Sequence, residues 1–213
     1  MSTQFLIFFL FLLINQAIAG GLDNQINTTW NGQPIGKHEP VKFHMEYENK
    51  TNGPVIHINF TAPYFNDIKP DCSIGFCADL YNYEVVEFFF ANDTNQYLEI
   101  EIGPHDNWLV ILLSGYRQDF LVETNMTLNL NNNLSGNIWT SSFEIPLSYF
   151  PNCVTKYNAY EIHTTTSNDT NTYNFNDGFG NRTFESLFPA TGSNATQPDF
   201  HALWFFGQLN MTD

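Results

Sequence analysis

The stretch NYEVVEFFFANDTNQYLEIEI, from Asn82 to Ile102, decides how the whole chain is read. It divides into two strands joined by a turn, and the second strand carries carboxylates at alternate positions. In YLEIEI the set Leu98, Ile100 and Ile102 takes one face, leaving Tyr97, Glu99 and Glu101 on the other. Carboxylates two residues apart on one strand face stand about 7 Å from each other. Together with Glu84 and Glu87 they are expected mainly to keep a sheet wet. The competing use, acid chemistry on a glycoside, needs one carboxyl held protonated in an apolar pocket.

Outward from this segment the same period of two recurs. In VKFHMEY, Val41, Phe43, Met45 and Tyr47 point inward, with Lys42, His44 and Glu46 outward; in VIHINFT the inward set is Ile56, Ile58 and Phe60. WLVILL, Trp108 to Leu113, does not alternate and reads as a central strand covered on both faces. Helical pattern is scarce: PLSYF and FESLF suit one turn each, and FHALWFF is ambiguous. The fold class expected is all-β, an antiparallel β-sandwich with few short helical turns. The polar segment 164–181 is expected to be an exposed loop.

Residues 1–19 read as a signal peptide, with an apolar run from Phe5 to Ile14 and small residues up to Ala19; a signal anchor is the alternative. The run is shorter than the roughly 20 apolar residues of a membrane span, and no later stretch reaches that length. The expectation is a secreted, monomeric protein with one domain over 20–213 and no membrane span after signal removal. No charged residue precedes Asp23, so the net charge of −15 belongs to the mature chain. Such a chain repels phosphate backbones and anionic headgroups, which excludes nucleic acid and leaves neutral sugars or cationic partners.

Ten Asn-X-Ser/Thr acceptors are present: Asn27, Asn49, Asn59, Asn92, Asn125, Asn133, Asn168, Asn181, Asn194 and Asn210. With 27 Asn in the chain, chance predicts roughly four, so the excess supports secretion, against the alternative of composition bias. Asn59 and Asn125 fall on outward positions, so a binding face is expected to avoid both. Cys72 and Cys77 in CSIGFC suit a small loop disulfide in an oxidising compartment. Pairing of Cys153 with either one stays open.

Five segments, TWNGQPIGKHEPV, NYEVVEFFF, YLEIEIGPHDNWLVILLSG, IPLSYFPNCVTKYNAYEIH and QPDFHALWFF, carry a resemblance from about Thr29 to Phe206. There the chain resembles an uncharacterised eukaryotic family, protein family 0462, whose human member is the product of chromosome 4 open reading frame 33. That family looks like carbohydrate-binding module family 9 and DOMON-like β-sandwiches. The likeness implies a carbohydrate-binding-module-9-like sandwich in which Glu87 matches the acidic position of a strand motif. A signal peptide, many acceptor sites and CSIGFC depart from the family's usual pattern.

The resemblance covers His38 with Glu39, His105 with Asp106, His163, and Asp199 with His201, candidates for a metal or acid/base cluster at one end of the sandwich. Sugar binding needs an exposed aromatic face beside polar groups, for which Trp30 is the first candidate and Tyr81 and Tyr83 follow. Calcium is a further cofactor candidate, with Asp67, Asp71, Asp79, Asp177 and Asp199 as oxygen donors. His44 and Met45 point to opposite faces and cannot jointly hold a haem. The function expected is non-catalytic carbohydrate binding. The alternatives are an enzyme in which at least three of His38, His105, His163 and His201 converge, or a surface glycoprotein without a ligand site.

Overall fold

Alternating segments become strands in this computed structural model, which describes residues 21–164, 182–192 and 196–209. In chain order these are β1 (Leu22–Ile26), β2 (Thr28–Thr29), β3 (Val41–Lys50), β4 (Gly53–Pro63), β5 (Gly75–Phe76), β6 (Val85–Ala91) and β7 (Gln96–Ile102). They continue as β8 (Asn107–Ser114), β9 (Asp119–Glu123), β10 (Asn131–Ser135), β11 (Ile138–Pro146), β12 (Lys156–Thr164), β13 (Arg182–Ser186) and β14 (Gly207–Gln208). One five-stranded sheet has the order β1-β3-β4-β11-β10. The second has nine strands, β2-β13-β12-β6-β7-β8-β5, with β14 beside β12 and β9 beside β8. All pairings are antiparallel except β5 with β8.

The two sheets meet through the residues that alternation assigns inward. Val41, Phe43, Met45, Ile56, Ile58, Phe60, Phe143 and Ile145 of the smaller sheet pack on Val86, Phe88, Phe90, Leu98, Ile100, Ile102 and Val110 of the larger. Phe88 sits at the middle, 5.3 Å from Phe43, 6.1 Å from Phe60 and 5.9 Å from Phe143 between ring centroids. Trp139 is fully buried and its indole N–H donates to Asn132 Oδ1 at 3.0 Å, which satisfies the one polar atom it carries inside.

The larger sheet is buried on its outer face as well. Phe89, Ala91, Tyr97, Leu113 and Tyr160 lie under Phe200, Leu203 and Phe206 of the C-terminal segment. Val85, Leu109 and Ile162 lie under Cys77, Leu80 and Phe184, with Trp30 and Tyr83 alongside. This explains why WLVILL lacks alternation. It also overturns the expectation that Glu99 and Glu101 are wet: they take the outer face, as read, but are 5% and 0% exposed.

Short 3-10 turns occur at Leu80–Asn82, Leu147–Tyr149 and Leu203–Phe205. FESLF is a correction: Phe184 to Ser186 extend β13, paired with β12. Cys72 and Cys77 form a disulfide with Cα atoms 5.6 Å apart, and Cys153 is free. No helix among the described residues is long and apolar enough to cross a membrane. The expected signal peptide, the polar loop after Thr164, Asp177, Asn168, Asn181, Asn194 and Asn210 lie outside the described residues.

Since Phe88 contacts three rings of the opposite sheet, Phe88→Ala is expected to lower the unfolding free energy by about 3–5 kcal/mol, measured by denaturant titration.

Candidate functional site

Pleating separates the acids of the larger sheet into two groups. Glu87 and Glu101 face each other across β6 and β7, with Glu99 one position along the same outer face. Burial raises all three, pushing Glu99 up to about 7 and Glu87 and Glu101 well above the carboxylate range. Three neighbouring carboxyls out of water cannot all ionise, so they are held as neutral acids. Tyr160, stacked on Phe200 at 3.8 Å, closes one side. No substrate reaches such acids through a covering layer of side chains, so they are part of the packing and not a catalytic pair.

His201 belongs to the rim of this outer face. Its Nδ1 is 2.8 Å from Tyr97 Oη, and its backbone N–H donates to Asp199 Oδ1 at 3.2 Å. Burial, then Arg117, pulls the ring down to about 4, which keeps it neutral. Arg117 and Tyr116 donate to the two oxygens of Asp199 at 3.1 and 2.9 Å.

On the core side of the same sheet, beyond Tyr157 and Ala159, β12 presents Glu161 and then His163. Glu185 of β13 stands opposite Glu161. The β2–β3 connection brings His38 over them, and the chain leaving β4 brings Phe65. His38 Nε2 is 3.1 Å from Glu185 Oε1, and His163 Nε2 is 3.6 Å from the same oxygen. The two imidazoles meet edge to face at 5.4 Å, and Phe65 stacks on His163 at 3.6 Å. Nδ1 of His38 lies 3.0 Å from the Glu39 carbonyl and Nδ1 of His163 lies 2.7 Å from that of Thr164. A carbonyl only accepts, so each Nδ1 is the protonated nitrogen and both Nε2 atoms face Glu185.

Further polar groups surround this centre. Glu84 accepts from the backbone N–H of Phe65 at 2.9 Å and of Asp67 at 3.1 Å. Asp67 in turn accepts from the Thr164 backbone N–H at 2.7 Å and from its hydroxyl. Burial pushes Glu84 up to about 7 despite its two amide donors, and Glu161, buried beside Glu185, is raised well above its usual range.

The smaller sheet turns a polar outer face to solvent. Asp23, Asn24, Gln25, Asn27, Lys42, His44, Asn59 and Thr61 line an open groove of about 710 Å³, which also touches Phe43, a residue whose ring lies in the core. His44 Nδ1 is 2.9 Å from Asp23 Oδ1. Further along the face, His57 is 3.1 Å from Glu48, which also pairs with Lys50 at 3.1 Å.

Against these positions, the sequence-based candidates divide. His38 and His163 converge with Glu185, while His105 stands apart against Tyr64 at 6.3 Å and His201 lies on the opposite face of the sheet, so the three-histidine convergence that the enzyme alternative requires does not form. Glu39 points its carboxylate to solvent beside Lys42, at 3.6 Å. Glu87 is buried. Trp30 and Tyr83 are half-buried against the outer-face cluster, and the well-exposed tryptophan is Trp204, at 70%. Among the described residues the calcium donors do not gather: Asp79 accepts from Tyr81, and Asp67 and Asp199 are engaged as above, on different elements. Among the described residues, the groups spaced to share an ion are His38–His163–Glu185 and Glu46–Glu48–His57. Glu185 is the member that sequence reading missed, because FESLF looked helical; its place opposite Glu161 required the strand.

The architecture defines an all-β protein, a two-sheet antiparallel β-sandwich. A structure described as a "putative carbohydrate-binding protein" from Bacteroides uniformis shares this fold, at a TM-score of 0.59 and 15% identity over 89% of this chain and 86% of that one. Closer kinship lies in sequence. The mouse UPF0462 protein C4orf33 homolog is 37% identical over 193 residues, 87% of this chain and 89% of the relative. The human UPF0462 protein C4orf33 is 34% identical over 197 residues, 89% and 88% of the two chains. The chain belongs to the UPF0462 family of C4orf33 proteins. No family model matches it.

A carboxyl raised from 4.5 to about 7 keeps its proton in the folded chain after the unfolded chain has lost it. Its stabilising contribution is therefore full below the lower value and is lost as pH climbs to the higher one. Glu99→Gln, which removes this titration, is expected to reduce the fall in melting temperature between about pH 5 and pH 8, read by thermal unfolding of both proteins.

Proposed function

We propose that this protein is a secreted, N-glycosylated domain that binds neutral carbohydrate without catalysis, in the groove on the outer face of the smaller sheet. The observation that carries the reading is the lining of that groove: amides, a hydroxyl, a carboxylate, a lysine and an imidazole over about 710 Å³. These are donors and acceptors of the kind that read sugar hydroxyls, and the space suits one or two sugar rings. The fold shared with the Bacteroides uniformis protein supports the same class. Phe43, the one aromatic residue of the lining, is 3% exposed, so no ring stacks on a pyranose and affinity is expected on the order of millimolar.

Secretion is supported by the leader-like residues 1–19 and the excess of acceptor sites. The ten acceptors are not equivalent. Asn92 is buried; its amide nitrogen donates to Gln96 Oε1 at 3.2 Å and to the Asn152 carbonyl at 3.0 Å, which speaks against a glycan there. Asn27 and Asn59 line the groove, contrary to the expectation that a binding face avoids Asn59. A glycan on either would itself fill the space, so the groove serves external sugar when both are bare.

Peptide mapping of the secreted protein is expected to find glycans at Asn49, Asn125 or Asn133 and none at Asn92. Titration of protein bare at Asn27 and Asn59 with neutral mono- and disaccharides, followed by NMR, is expected to give millimolar binding. His44→Ala should weaken it about tenfold, the loss of roughly 1.4 kcal/mol from one hydrogen bond. Loss in Trp204→Ala with none in His44→Ala would move the site to the exposed ring, and no binding by the parent protein rejects the sugar reading.

A further inference from the structure

The group His38, His163 and Glu185 has more order than packing requires. Three elements distant in sequence deliver it: the β2–β3 connection, β12 and β13. Both rings are fixed by their Nδ1–H bonds to backbone carbonyls at 3.0 and 2.7 Å, and Phe65 locks the second by stacking. That arrangement, with one ring nitrogen tied to a carbonyl and the other presenting its lone pair, is how metal-bound histidines are held.

The donor spacing agrees with an ion. Ligand atoms about 2.0–2.1 Å from zinc at tetrahedral angles stand roughly 3.3 Å apart. The two His–Glu185 separations are 3.1 and 3.6 Å, and one donor atom of each residue lies within 4.8 Å of the other two. A proton shared by His38 and Glu185 would account for that pair alone. It gives no role to His163 Nε2, which is buried and has no hydrogen-bond partner. Glu185 is fully buried, where a carboxyl has no water to bond.

We infer that His38, His163 and Glu185 bind one divalent transition-metal ion of the zinc class. Two imidazoles and a carboxylate suit a borderline cation, whereas calcium takes six to eight oxygens. The other spaced group, Glu46, Glu48 and His57, is a poorer host, because the Lys50 ammonium is already 3.1 Å from Glu48. Glu161 stands opposite Glu185 in the strand register and is buried beside it. With His163 and Glu185 buried and His38 only 16% exposed, the ion would act as a clamp holding the β2–β3 connection against β12 and β13.

The inference does not depend on the sugar reading, since the groove lies on the other sheet and the test contains no sugar. The whole secreted protein is incubated with zinc chloride, dialysed, and its metal content measured by mass spectrometry; thermal unfolding is followed with and without zinc. About one zinc per chain and a higher melting temperature are expected. His38→Ala and Glu185→Gln should each lower zinc affinity about 100-fold while circular dichroism confirms folding; Glu185→Gln keeps the shape of the side chain if alanine is not tolerated. His57→Ala and His105→Ala should bind as the parent does. Absence of retained zinc overturns the inference, as does retention undiminished in both His38→Ala and Glu185→Gln, or loss in His57→Ala alone.

Discussion

Burial of both faces of the larger sheet is the constraint on which the rest depends. One face meets the smaller sheet through Phe88 and its partner rings; the other lies beneath Leu80, the Cys72–Cys77 loop and the segment from Phe200 to Phe206. Strands β6, β7, β8 and β12 are therefore dry on both sides, and any polar residue on them must find a partner or lose its charge. Glu87, Glu99 and Glu101 lose it. Asn158 finds partners, donating to Tyr160 Oη and the Phe188 carbonyl and accepting from the Phe188 amide at 2.8 to 3.0 Å.

The two polar layers of this sheet show how pleating converts one strand into two chemical surfaces. Tyr160 and Ile162 of β12 face the covering loops, while Glu161 and His163 face the space between sheets. At that end of the sandwich the core runs out, and loops carrying His38, Phe65 and Asp67 fill the gap. Polar side chains can be ordered there because backbone amides and carbonyls at the strand ends lack ladder partners, as the bonds to Glu84, Asp67 and both histidines show.

The smaller sheet follows the opposite rule. Its inward residues are mostly apolar and its outward ones mostly polar along β3, β4 and β11, with Ser141 the buried polar exception, as expected of a sheet with one wet face. A hydroxyl- and amide-rich groove is what such a face leaves between strands. On the proposed reading, recognition there rests on hydrogen bonds alone, and water competes for every one of them, so selectivity for hydroxyl pattern is more readily achieved than high affinity.

Sequence by itself determined the class of the fold, the inward sets of β3, β4 and β7, the small disulfide and the family, because alternation, loop spacing and ordered segments are local signals carried along the chain. It also placed Glu99 and Glu101 on the correct side of their strand. Whether that side was wet depended on the segment about a hundred residues later that covers it, and no local pattern reports such a contact. The same holds for the site. His38 and His163 could be named as candidates, but their meeting with Glu185, and the separation of His105 and His201 from them, arose from strand register and from the face each strand turned inward, which only the tertiary structure decided.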